Sequence, residues 1–222
     1  MYSLFRWFYY FPYRCKTRLT ALWLNYLHVD FSPDVDRRFP TNVGHGYQPT
    51  YDAYFHDGIK NLPIPIKDVR LLDAGCGKGA ILFFAKRMGI AKVGGVELAE
   101  ELCAICVKNM RALGYQDIAV FHKDATLLKT ELDEYNVFYM FNPFPADPMR
   151  GFLRSVAESA HRMPRSVYVI YHNPIFPDAC RDEGFVMIKE VLTRTYFGND
   201  KPTLIFEYRA MSSGESGTQI AE

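Results

Sequence analysis

Residues 71–80, Leu-Leu-Asp-Ala-Gly-Cys-Gly-Lys-Gly-Ala, set an apolar run, a carboxylate and three alternate glycines directly before an apolar-periodic segment. Few folds use that order. Val69, Leu71 and Leu72 read as a buried strand. Ile81, Leu82, Phe83, Phe84, Ala85 and Met88 read as the following helix, with Lys86 and Arg87 in its last turn and Gly89 as its stop. A glycine turn between strand and helix lets a ligand approach the backbone without meeting a Cβ, and it is expected to aim free N–H groups at that ligand. A second short strand, 92–96, ends at Glu97. In a mononucleotide-binding βαβ unit the acid that takes the ribose hydroxyls stands about 20 residues past the turn, which is where Glu97 falls. The spacing points to a ligand that contains an adenosine.

Two cofactors fit that description. Gly75, Gly77 and Ala80 satisfy the nicotinamide fingerprint Gly-x-Gly-x-x-Gly/Ala, a weak signal when it stands alone. Asp73, two residues before the first glycine, adds a feature: Asp-x-Gly-x-Gly-x-Gly resembles motif I of the class I S-adenosylmethionine-dependent methyltransferases. The resemblance implies a Rossmann-like three-layer α/β sandwich whose seven-stranded sheet is mostly parallel with one antiparallel edge strand. It implies that Gly75, Gly77 and Gly79 contact the methionine half of S-adenosylmethionine and that Asp73 helps hold its amino group. Glu97 would take the ribose, and Asp124 with Ala125, after the third strand, would lie against the adenine. Asn142-Pro143-Phe144-Pro145 is similar to the Asn-Pro-Pro-aromatic motif of many N-methyltransferases. There the Asn side-chain oxygen and a backbone carbonyl accept hydrogen bonds from the target nitrogen and the aromatic ring packs on its flat group, the roles this likeness suggests for Asn142 and Phe144. The second proline here follows the aromatic residue instead of preceding it, so nitrogen is favoured over oxygen only slightly. The acceptor itself is not readable. A nicotinamide oxidoreductase and a non-catalytic adenosine-binding module are the alternatives.

The remaining elements come from periodicity and punctuation. Leu102, Ile105, Cys106, Met110 and Leu113 make one face of a second helix that Gly114 ends. Strands are expected at 118–121, 137–141, 166–171, 185–193 and 203–209, with a helix over 151–161. Strands alternating with helices, then a terminal hairpin, predict a mostly parallel sheet with an antiparallel edge. The domain is expected to span 47–211, preceded by an arm (1–46) and followed by a small, polar tail (212–222) expected to be disordered.

Upstream of motif I, Thr50 and Tyr51 have two readings. The family resemblance makes them part of a lid, with a hydroxyl for the methionine carboxylate and a ring over the sulfonium. Otherwise they form an ordinary loop in which Thr50 caps a helix. A hydroxyl acceptor would need a general base. His172, at the carboxyl end of the fifth strand, is best placed for that role, ahead of His45 and His56.

Composition narrows the partners. The 222 residues carry a formal net charge of +1, which gives no global electrostatic signature for nucleic acid. The five cysteines include one close pair, Cys103 and Cys106, inside a helical segment without companion histidines. Buried thiols in a reducing, cytoplasmic setting are expected and a metal is not. Residues 1–28 hold ten aromatic residues with Arg6, Arg14, Lys16 and Arg18, and no acid precedes Asp30. Such an arm suits packing on the domain, a dimer contact, or a peripheral place at a membrane surface.

Overall fold

The computed structural model describes residues 22–32, 52–193 and 201–210. Its centre is a single sheet of seven strands: β1 (Arg70–Ala74), β2 (Lys92–Glu97), β3 (Ala119–His122), β4 (Val137–Phe141), β5 (Ser166–His172), β6 (Val186–Leu192) and β7 (Pro202–Arg209). The helices are α1 (Asp52–Lys60), α2 (Ala80–Arg87), α3 (Glu100–Ala112), α4 (Ala146–Arg162) and α5 (Pro177–Asp182). The strands lie in the order β3-β2-β1-β4-β5-β7-β6. The first five pair in parallel. Antiparallel pairing is confined to one edge of the sheet, where β7 runs against both β5 and β6.

Both faces of the central strands are buried, which is why their sequences are apolar throughout rather than alternating. Leu72, Phe138, Val169 and Tyr171 face one core with Phe152 and Val156 of α4 and Cys180 of α5. Leu71, Tyr139, Tyr168 and Ile170 face the other with Phe55 of α1, Leu82 of α2 and Cys106 of α3. The three-layer α/β architecture expected from the sequence is therefore present. The chain steps outward from β1 through β2 to β3, then crosses back to β4 on the other side of β1. That reversal opens a crevice at the carboxyl ends of β1 and β4, the usual ligand position in such sheets.

Helix α4 begins at Ala146, five residues before the start read from periodicity. Pro148 looks like a breaker there, but in a first turn its missing N–H has no intrahelical partner to lose. The six-residue α5 and the 3₁₀ turns at Ile66–Asp68, Ala125–Leu127 and Thr130–Glu134 are too short for a periodic signal. Residues 22–26 are helical, and Leu24 and Phe31 pack against the α1–α3 core. Thr50, Tyr51, His45, the 46/47 boundary and the tail from 212 lie outside the described residues.

Candidate functional site

The turn after β1 is built on left-handed glycines, with φ of +80° at Gly75, +52° at Gly77 and +88° at Gly79. A Cβ on Gly75 would stand 2.7 Å from the Cβ of Pro143, so this turn touches the loop after β4. A Cβ on Gly79 would meet the Cys106 sulfur at 2.7 Å, so its absence lets α2 start close against α3. One expectation is corrected. The amides of Gly75 and Cys76 both donate to the Val96 carbonyl (2.9 and 3.0 Å), Gly77 donates to Glu97 Oε2 (2.8 Å) and Gly79 to the Cys76 carbonyl (2.8 Å). These four N–H groups are used inside the fold and are not a free cradle for phosphate.

The acids line up across neighbouring strand ends. Asp73 lies near the end of β1 opposite Gly95, and Glu97 closes β2. Asp124 follows β3, whose last residue pairs with Glu97. The two oxygens of Glu97 accept from Gly77 and Ala99 amides, at 2.8 and 2.9 Å, which fixes the carboxylate on the turn. Asp73 is buried, and its pKa is pushed well up, by burial first and then by the charge of Glu97. Asp124 caps the Ala125–Leu127 turn, accepting from the Thr126 amide and hydroxyl, and Ala125 is buried beside it.

Lys78, the cation within the turn, does not face this acid row as a phosphate ligand would. Its ammonium is buried and donates to Asp30 Oδ2 at 2.7 Å and Ser32 Oγ at 3.3 Å. Asn109 of α3 ties the same segment down through the Asp30 backbone (3.0 and 2.8 Å) and the Lys78 carbonyl (2.9 Å). Burial pulls the Asp30 pKa upward, but the bonds from Lys78 and Ser32 outweigh it and the net is below the usual carboxylate range. That sign makes the pair stabilising above the unfolded-state carboxylate pKa, with the benefit lost as pH falls through the lower folded value. Asp30→Asn is therefore expected to cost about 1–2 kcal/mol at neutral pH, discounted because Asp30 is half exposed and Ser32 remains. Thermal melts should show the wild-type advantage shrinking below about pH 4.

The second wall is the corner after β4. Asn142 and Asn173, at the ends of neighbouring β4 and β5, both take positive φ (45° and 49°) directly before a proline. Asn142 is buried, and its Oδ1 accepts from the Tyr171 hydroxyl at 2.9 Å and from the Ile175 amide at 3.3 Å. The same hydroxyl accepts from the amides of Ile175 and Phe176 (3.2 and 3.3 Å), and burial raises its pKa, keeping the donor proton in place. Phe144 is half buried, its ring 5.8 Å from that of Phe152 in α4. His172 is fully buried, stacked on Tyr54 at 4.2 Å, with Nδ1 2.9 Å from Thr203 Oγ1. Burial, then the charge of Lys201, lowers its pKa to about 4.

This arrangement selects between the two adenosine cofactors. A dinucleotide would bring a doubly anionic pyrophosphate to a turn with committed amides, an averted lysine and a repelling acid pair. An ammonium and a sulfonium would relieve that acid pair instead. Residues 71–162 match the profile of the family described as "Methyltransferase domain". The chain carries a methyltransferase domain and is an S-adenosylmethionine-dependent methyltransferase. Its cofactor is S-adenosylmethionine. No curated protein matches the sequence significantly. Among solved structures, the methyltransferase resembles the methyltransferase domain of bacterial CtHen1 (12% identity, TM-score 0.55), covering 72% of this chain and 98% of that one. It also resembles the pyocyanin biosynthetic protein PhzM (12%, 0.56), over 72% of this chain and 55% of that one. A protein of the NADB-Rossmann superfamily from Streptococcus agalactiae is similar too (14%, 0.55; 75% and 71%). Likenesses at this identity carry the fold.

The structure thus brings Asp73, Gly75, Gly77, Gly79, Glu97, Asp124 and Asn142 to one end of the sheet. Sequence reading missed Tyr171, Tyr54 and the Lys78–Asp30 pair. The repeat of Asn-Pro after β4 and again after β5 was a visible sign that the second loop belongs with the first. Nothing local marks a contact like Lys78–Asp30, whose partners are separated by 48 positions.

Proposed function

We propose that this methyltransferase transfers the methyl group to a nitrogen nucleophile presented at the Asn142-Pro143-Phe144 corner. The observation that carries the reading is the state of His172. A hydroxyl acceptor needs a base near its own proton. His172, the histidine best placed by sequence for that work, is enclosed by Tyr54, Phe141 and Thr203, and its low pKa makes it a weak base. A neutral amine or ring nitrogen needs only its lone pair aimed.

The cofactor supplies an activated methyl group on a sulfonium, so the protein's task is placement and exclusion of water. Asp73 and Glu97 would hold the ammonium and the ribose, with Asp124 beside the adenine. Pro143, touching Gly75, brings the acceptor loop against the cofactor turn. Asn142 aims the acceptor. Its side-chain oxygen, where the family motif would accept from the target nitrogen, is engaged here by the Tyr171 hydroxyl, which fixes the amide and leaves the backbone carbonyls of the corner to accept the acceptor's N–H groups.

The test is a transfer screen with methyl-labelled cofactor against small-molecule, RNA and protein fractions of a cell extract, followed by identification of the methylated atom. An N-methyl product supports the reading, and an ether or ester product overturns it. With the acceptor in hand, Asn142→Ala should keep cofactor affinity within a few fold and lose on the order of a hundredfold in turnover, since ~1 Å of misplacement can cost that much. Tyr171→Phe should lose a smaller part of kcat with KM for the cofactor unchanged. Lost thermal stability with intact turnover in both variants would make the Asn142–Tyr171 pair a loop fastener only.

A further inference from the structure

We propose that the N-terminal segment docks this enzyme on an anionic lipid surface. Residues 1–32 contain Arg6, Arg14, Lys16 and Arg18 and a single acid, Asp30. That acid is neutralised by the buried Lys78 ammonium at 2.7 Å, so it offers an approaching anion little repulsion. By sequence the segment is therefore cationic and aromatic.

Where the structure describes this segment, it shows which side chains anchor it and which remain available. Leu24 and Phe31 pack inward, with the Phe31 ring 5.6 Å from that of Phe83. Asp30 and Ser32 close on Lys78. Leu22 (65% exposed), Trp23 (44%) and Tyr26 (81%) are left on the surface. Trp23 lies 6.3 Å from Phe83, and the exposed Arg87 sets its guanidinium 5.4 Å over the same ring. The folded body thus extends the pattern of the preceding sequence, with apolar and amphipathic rings bordered by cations. Leucine, tryptophan and tyrosine with arginine at the rim match the boundary between acyl chains and anionic headgroups. A nucleic-acid face would need more cations for each ring, because phosphate contacts supply most of that affinity. Among the described residues no helix is long and apolar enough to cross a membrane, so the contact proposed is a surface one.

The chain carries a convenient reporter. Its two tryptophans, Trp7 and Trp23, both fall in this segment, so intrinsic tryptophan emission follows the arm and nothing else. The 222-residue chain should show a blue shift and co-sediment with phosphatidylcholine vesicles that contain phosphatidylserine. Binding to phosphatidylcholine alone should be weaker, and added salt should reduce the anionic contribution. Arg14→Gln, Lys16→Gln and Arg18→Gln combined should lower partitioning by at least about tenfold. Leu22→Ser with Tyr26→Ser, both exposed, should lower it without changing the melting temperature or S-adenosylmethionine affinity. Absence of vesicle binding overturns the proposal, as does equal binding by the charge variant. A blue shift that grows with protein concentration, alongside a dimer in sedimentation equilibrium and no vesicle binding, makes this face an interface between copies. A shift with single-stranded RNA but not with vesicles makes it a nucleic-acid face.

Discussion

Gly75→Val should abolish measurable S-adenosylmethionine binding while the circular dichroism spectrum stays close to native. Two effects add at this position. The backbone sits at φ +80°, where a β-branched residue is strained by roughly 1–3 kcal/mol. The new Cβ would also stand 2.7 Å from the Cβ of Pro143, a rigid ring that cannot swing aside. The turn and the loop after β4 must part, which displaces Glu97's partner Gly77 on one side and Asn142 on the other. The hydrophobic cores on the two faces of the sheet lie behind this contact, so secondary structure persists. Gly89→Ala is the matched control. It has φ +85° with nothing within 4 Å of its ideal Cβ, so it carries backbone strain without collision. It should lose about 1 kcal/mol of stability and keep cofactor affinity. Normal binding by Gly75→Val in calorimetry would remove the turn from the cofactor site.

The contrast between these two glycines also shows why some of the site was legible in the sequence and some was not. Periodicity and spacing report what a segment does along its own length. The strand before Asp73, the helix after Gly79 and the distance to Glu97 were all visible for that reason. So was the succession of strands and helices along the chain, because the central parallel strands are apolar along most of their length and helices break the run at regular intervals. What a turn does with its own amides is decided by the strand beside it. Val96 and Glu97 absorb the N–H groups that a glycine-rich motif advertises, and only the β1–β2 register shows this. His172 illustrates the same limit. Its place at the end of β5 could be read from sequence, yet its basicity is set by burial against Tyr54 of α1 and by the charge of Lys201 just before β7. Tyr171, one residue earlier, looks like any core aromatic until the loop after β4 is laid against it.

Glu97→Ala should weaken S-adenosylmethionine binding by roughly 1.5–3 kcal/mol, the range for charge-assisted hydrogen bonds. The carboxylate has two duties that the substitution removes together. It accepts from the Gly77 and Ala99 amides, holding the turn in shape, and in the proposed role its remaining lone pairs take the ribose hydroxyls. It also raises the Asp73 pKa, so its removal leaves Asp73 more readily ionised and better able to hold a cationic amine. The two acids can therefore be separated by ligand. Methylthioadenosine keeps the adenosine and lacks the amino-acid portion. Glu97→Ala should lose affinity for it and for S-adenosylmethionine alike, whereas Asp73→Asn should weaken S-adenosylmethionine and spare methylthioadenosine. Calorimetric titration of both ligands into both variants decides the assignment. If Glu97→Ala bound methylthioadenosine normally while losing S-adenosylmethionine, Glu97 would belong to the ammonium instead. If it bound both normally, the ribose contact would lie elsewhere on the row of strand ends, with Asp124 the next acid to substitute.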